Sequence, residues 1–231
     1  MSEATRICLV GATGLVGSKI IEECIGREDV RLTAISRREH PLPQGVRMEL
    51  FVADPEHWGD VFEAMQPKAV ICALGTTWKK SGEDEATFRA VDYQLVLDTA
   101  KAALEQGVER FIAISSVGAS LASKSFYLRV KGEVERDLRK MKFGRLDILR
   151  PGLLRGSRSG DRRPAERWGI ALAPLTNLFL HGGYRQYRAI KAETVAEAAL
   201  ALAMTPARGR FLHDNDGIYR AARRLPQLAE D

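Results

Sequence analysis

Three evenly spaced glycines near the start of the chain, in Gly11-Ala12-Thr13-Gly14-Leu15-Val16-Gly17, limit strongly what it can fold into. Before them, Arg6-Ile7-Cys8-Leu9-Val10 reads as a buried strand; after them, Leu15, Ile20, Ile21 and Ile25 recur at roughly helical spacing. A strand, a glycine turn and a helix start form an anion site, because the free backbone N–H groups and the helix dipole face the same point. Glycines at this spacing let the main chain turn sharply and approach a pyrophosphate closely. An ordinary strand-to-helix turn is the alternative, and the flanking elements favour a dinucleotide.

Further strands are expected at Arg31–Ser36, Met48–Val52, Ala69–Leu74, Phe111–Ile114 and Leu146–Leu149, with helices at Phe88–Gln106, Tyr127–Met141 and Glu193–Met204. Short apolar strands alternating with helices imply parallel pairing and a doubly wound α/β sheet of Rossmann type. Ligands bind such sheets beyond the carboxyl ends of the strands. Gly11, Arg37, Gly75, Ser116 and Gly152 are therefore expected along one edge. Residues 153–190 break the alternation and read as a small substrate-side region within one domain spanning residues 1–231.

Lysine and arginine number 35 against 30 acidic residues, a net charge of +5 that favours anionic partners and is accounted for by a phosphate-rich cofactor. No RNA-binding signature, arginine-rich arm or zinc-finger spacing is present, so nucleic acid is not an expected partner. No apolar run reaches the ~20 residues needed to cross a bilayer, and the opening residues lack a signal peptide's apolar stretch. A cytoplasmic location without membrane attachment is the resulting expectation. Cys8, Cys24 and Cys72 read as reduced core thiols, and the scattered histidines suggest no metal site.

The residues after the second strand bear on the choice of cofactor. NAD sites usually carry an acidic residue there for the ribose hydroxyls, whereas this chain reads Ser36-Arg37-Arg38. Paired guanidinium groups suit a 2′-phosphate, so NADP(H) is the expected cofactor. The alternative makes Arg37 and Arg38 solvated loop residues, with Glu39 partly neutralising them. Asp54 fits either an acceptor for the adenine amino group or a turn residue before Pro55.

Tyr127 and Lys131 are four apart on one predicted helix and share a face. A tyrosine near pKa ~10 is a poor proton shuttle until a neighbouring cation lowers it. Tyr127 is then the expected acid for a carbonyl receiving hydride, with Lys131 holding the ribose. Ser116, at the end of the fifth strand, is expected to orient the carbonyl oxygen, and Ser115 is the fallback.

With these residues in order, the chain resembles an atypical short-chain dehydrogenase/reductase. It is most similar to the Tat-interacting-protein-like NADPH-binding oxidoreductases. Shared segments are Leu74-Gly75-Thr76-Thr77, Val91-Asp92-Tyr93, Phe126-Tyr127-Leu128, Val130-Lys131-Gly132-Glu133-Val134-Glu135 and Arg150-Pro151-Gly152. The resemblance implies cofactor contacts from Gly11, Ala12, Thr13, Gly14, Leu15, Val16 and Gly17, from Arg37 and Arg38, and from Leu74 and Gly75. It also implies contacts from Tyr127, Lys131 and Leu154, and from Arg163 across a one-residue gap. Extended members often carry Asn, which supports a water near the lysine, where this chain has Asp92.

The leading expectation is an NADPH-dependent oxidoreductase acting on a small carbonyl substrate. Because the family contains regulatory members, the alternative is a catalytically weak NADPH-binding redox sensor acting on a protein partner. A homodimer through exposed helix faces stays open. Arg155, Arg158, Arg162, Arg163 and Arg167 read as a flap or a solvated loop, and Trp78-Lys79-Lys80 as a nicotinamide-end lining or a surface loop. Asp214-Asn215-Asp216-Gly217 reads as a plain turn.

Overall fold

A computed structural model describes residues 4–76, 81–156 and 186–227. Seven strands form one sheet: β1 (Thr5–Val10), β2 (Val30–Ser36), β3 (Met48–Val52), β4 (Ala69–Cys72), β5 (Arg110–Ile114), β6 (Arg145–Leu149) and, later in the chain, β9 (Gly209–His213). Their spatial order is β3-β2-β1-β4-β5-β6-β9, and every neighbouring pair is parallel. The chain therefore winds outward from β1 in one direction and from β4 in the other. The switch point lies between these strands, where a doubly wound sheet leaves a crevice for a ligand.

Both faces of the sheet are covered. On one, α1 (Leu15–Glu23), α6 (Ala192–Met204) and α7 (Asn215–Ala222) pack around Ile7, Leu9, Leu32 and Ile71. Alanine fills most of the buried positions of α6, which allows it to lie close to its neighbours. On the other face, α2 (Trp58–Met65), α4 (Leu95–Glu105) and α5 (Phe126–Lys140) cover Cys8, Val70, Phe111 and Ile148. Although α5 is highly charged, Val130, Val134 and Leu138 recur at four-residue intervals and give it one buried stripe. A separate two-stranded parallel ladder joins β7 (Leu154–Arg155) to β8 (Ile190–Lys191). It brackets residues 157–185, which lie outside the described residues.

The expected strands occur within a residue or two of their anticipated bounds; α2, β7 and β8 are additional, and three further elements differ from expectation. The long helix expected at Phe88–Gln106 is instead α3 (Glu85–Arg89), a π-helical turn (Ala90–Gln94) and α4. The turn read at Asp214–Gly217 is the start of α7, with the Asp214 carboxylate accepting the Gly217 N–H at 2.8 Å. This is a helix cap, so the same polar residues that suggest a turn serve to start a helix. Strand β9 has no counterpart among the expected elements. It is an edge strand with Phe211 and Leu212 exposed, so it lacks the buried apolar run that marks the central strands.

All three cysteines are buried and unpaired. Burial pushes the thiols of Cys72 and Cys24 up to about 11 and about 12, and that of Cys8 higher still. Because the thiolate is the reactive form, the native protein should give almost no fast reaction with an aromatic disulfide reagent at pH 8. Unfolding in guanidinium should release all three thiols. A native thiol titrating within seconds would contradict the packing around β1, α1 and β4.

Candidate cofactor and catalytic site

Contacts around the glycine turn show why these positions lack side chains. Gly11 has φ +94°, a conformation favouring glycine, and a Cβ there would sit 2.6 Å from the Ala73 carbonyl and 2.8 Å from the Leu74 nitrogen. A Cβ on Gly17 would overlap the Gly11 carbonyl oxygen, so the first turn of α1 lies directly against the loop. Gly14 caps α1 without a side-chain hydrogen bond, and no acidic residue occupies the first turn. The leading N–H groups of α1 thus keep their capacity to donate to an anion. Ala12 and Val16 are buried, Thr13 is exposed, and Leu15 is half-buried.

From this turn the site extends along the carboxyl edge. The Gly11 contact brings in the end of β4, where Leu74 and Gly75 follow. A Cβ on Gly75 would lie 3.4 Å from Asp92 Oδ1 and 3.7 Å from Lys131 Nζ, so this loop abuts both side chains. A Cβ on Gly156 would lie 3.2 Å from Leu15 Cδ1, which brings the segment after Leu154 back to the start of α1. The glycine turn, Leu74-Gly75, Lys131 and the Leu154 segment are therefore contiguous.

Helix α5 carries Tyr127 and Lys131. The Tyr127 ring packs edge-on against the fully buried Phe88, with centroids 5.6 Å apart. One turn later, Lys131 Nζ is 2.8 Å from Asp92 Oδ1. Burial opposes the lysine's charge, yet the Asp92 carboxylate and, less strongly, the Tyr127 oxygen hold its pKa above the ordinary value. Lys131 is a buried cation that stays charged.

The loop after β5 lies across the start of this helix. The Ser120 N–H donates to the Leu128 carbonyl at 3.1 Å. A Cβ on Gly132 would lie 2.5 Å from the Ser120 carbonyl carbon, so only glycine admits the loop at this height. This crossing brings the Ser116–Ser120 segment onto the Tyr127 turn. The two serines then differ: Ser115 Oγ donates to Glu135 Oε1 at 2.6 Å, whereas Ser116 Oγ makes only a long 3.3 Å bond to the Val117 carbonyl. Glu135 also accepts two hydrogen bonds from Arg150. Ser115 is thus tied into a buried network, while Ser116 keeps hydrogen-bonding capacity. Glu135, four residues past Lys131, joins the ends of β5 and β6 to α5. Its role is hidden in the sequence among the other charged residues of that helix.

Toward the other end of the edge, Arg37 and Arg38 follow β2 and are exposed. Among the described residues neither guanidinium has an ion-pair partner; Glu39 does not engage them. Asp54 is exposed after β3 and makes no side-chain capping bond to the short 3-10 turn that it precedes. Trp78-Lys79-Lys80 and Arg158, Arg162, Arg163 and Arg167 lie outside the described residues.

A family model described as NAD(P)H-binding matches residues 11–172, beginning at the glycine turn. The chain belongs to this NAD(P)H-binding family. Membership fits the cradle that a Cβ at Gly11 or Gly17 would fill, and it upholds the expectation of a nicotinamide dinucleotide as cofactor. Protein FMP52, mitochondrial, of Meyerozyma guilliermondii is 38% identical over 208 residues, covering 87% of this chain and 86% of that one. The protein of the same name from Aspergillus niger is 34% identical over 203 residues, covering 84% and 85%. Among solved structures, UDP-glucose 4-epimerase of Thermus thermophilus in complex with NAD superposes with TM-score 0.66 at 21% identity, covering 94% of this chain and 82% of that one. The Thermotoga maritima UDP-glucose 4-epimerase with UDP-glucose gives 0.67 at 15% identity, covering 98% and 84%. At these identities the epimerases show that the fold is shared.

The relatives' names correct one expectation. They are called mitochondrial proteins, which overturns the cytoplasmic location inferred above. That inference used the absence of an apolar leader, but a mitochondrial address is amphipathic and arginine-rich, so a missing apolar stretch does not bear on it.

Proposed function

We propose that this NAD(P)H-binding protein is an NADPH-dependent oxidoreductase that reduces a small carbonyl compound. One observation carries the reading: Lys131 is held charged beside the Gly75 loop, one helical turn from Tyr127, whose hydroxyl has no hydrogen-bond partner among the described residues. A reduced nicotinamide bound along this edge supplies the hydride. Tyr127 donates the proton to the carbonyl oxygen, and the Lys131 ammonium stabilises the phenolate left behind. Ser116 donates to the same oxygen and orients it. The N–H groups of α1 hold the pyrophosphate, with Gly11 to Gly17 as the cradle. Leu74, Gly75 and Leu154 line the path from the turn to Lys131. Arg37 and Arg38 hold the 2′-phosphate, supported by their exposure without an acidic partner, and Asp54 accepts from the adenine amino group.

Fluorescence titration with NADPH and NADH tests the cofactor choice. NADPH should bind at least tenfold more tightly, one ion pair to phosphate being worth about 1.5–3 kcal/mol. Equal affinities would remove the assigned roles of Arg37 and Arg38. Tyr127→Phe should keep NADPH affinity within about twofold and lose turnover by about 100-fold or more across a panel of carbonyls and quinones. Full turnover in that variant would overturn the proton assignment. Intact NADPH binding with no turnover in the unaltered protein would favour the redox-sensor reading over the enzyme.

A further inference from the structure

Asp92 is completely buried within the π-helical turn of Ala90–Gln94, and both its carboxylate oxygens are engaged. Oδ2 accepts the Thr76 N–H at 2.7 Å, and Oδ1 pairs with Lys131 Nζ at 2.8 Å. Both partners are donors. An asparagine here would turn its NH2 group toward one of them and leave a donor facing a donor. The environment therefore calls for an acid, and the acid brings a charge that an amide lacks.

We propose that Asp92 makes the Lys131 end of the cofactor site electrically neutral and thereby sets its relative affinity for oxidised and reduced nicotinamide dinucleotide. This rests on the proposed site, with Lys131 at the nicotinamide end. The oxidised ring carries one positive charge that the reduced ring lacks. Beside an unpaired buried ammonium the oxidised form is repelled, whereas beside a neutral Asp92–Lys131 pair it is not. The other titratable groups that act on Lys131 are Tyr127 and Cys72. Burial pushes the Cys72 thiol up to about 11, so it adds no charge near neutrality. Thr76 contributes only an N–H, and Gly75, which abuts the pair, has no side chain. Asp92 is thus the group that offsets Lys131.

The test is the ratio Kd(NADP+)/Kd(NADPH), measured by calorimetry at pH 6.5 on the full chain, and it needs no substrate. Asp92→Asn should raise this ratio at least about fivefold, since one unit charge about 4 Å away acts by about fivefold in bulk water and about a thousandfold at the dielectric of a protein surface. Asp92→Glu, which keeps the charge, should stay within about twofold of the unaltered ratio, whereas a merely structural role would show no such dependence on charge. The double variant Asp92→Asn with Lys131→Met is neutral again and should also return to that ratio. An unchanged ratio in Asp92→Asn, with both cofactors still bound, overturns the proposal. If Asp92→Asn does not fold, Lys131→Met at pH 8.5 gives the reciprocal reading: the remaining carboxylate should lower the ratio, and an unchanged ratio overturns the proposal equally. Failure of the unaltered protein to bind either cofactor would instead overturn the underlying site.

Discussion

Gly17→Ala should weaken dinucleotide binding about 100-fold while leaving the protein folded. The added methyl would overlap the Gly11 carbonyl oxygen, and neither group can yield easily because both are held in main chain. The first turn of α1 must then move away from the glycine loop. Its N–H groups no longer converge with those of the loop on one phosphate position. Losing two charge-assisted bonds costs about 3 kcal/mol, or about 100-fold in affinity. Overpacking of this kind lowers stability by about 1–3 kcal/mol, which an intact domain tolerates. Circular dichroism and NADPH titration on the same sample separate the two effects. Wild-type affinity in the variant would mean that the pyrophosphate is held elsewhere. Alanine at the solvent-facing Gly59, where a Cβ meets nothing within 4 Å, serves as the control and should leave binding unchanged.

Asp147→Ala should destabilise the fold by about 3–5 kcal/mol, the cost of leaving a buried partner charge uncompensated. Asp147 is completely buried on β6. It accepts from Arg145 at 2.5 and 3.0 Å and lies 2.7 Å from His213 Nε2 on β9. Arg145, itself almost fully buried, also donates to the Ala207 carbonyl and stacks over the Phe211 ring. One carboxylate therefore ties the edge strand β9 to the sheet. Guanidinium unfolding monitored by circular dichroism reads the loss as a lower midpoint. Combining Arg145→Met with Asp147→Leu should recover most of it, since replacing a whole buried ion pair with apolar groups is often neutral. A loss below about 1 kcal/mol in Asp147→Ala would mean that Arg145 reaches water or another anion when its partner is gone.

Legibility of the site in the sequence is uneven for reasons visible in particular residues. The glycine turn is legible because its requirement is local: backbone curvature and close approach act within seven residues. The Tyr127–Lys131 pair is legible through helical spacing alone. Phe88, which supports the Tyr127 ring, looks like any apolar helix residue. Asp92 stands out only through the asparagine that the family resemblance implies there, and its bond to the Thr76 N–H crosses sixteen positions. Glu135 and Asp147 are two carboxylates among thirty acidic residues, and no periodicity separates a buried acid from a solvated one.

The linear order of apolar runs and glycines was enough to establish a parallel α/β sheet and to point to the glycine turn and the strand edge that hold the candidate site. These follow from constraints between near neighbours: strand length, helical period and the absence of a Cβ. Only the packed chain decided which serine is engaged, which carboxylate neutralises Lys131, and that an exposed strand after α6 completes the sheet. Those outcomes depend on burial and on hydrogen bonds between residues far apart in the chain, and a buried charge finds its partner by proximity in space.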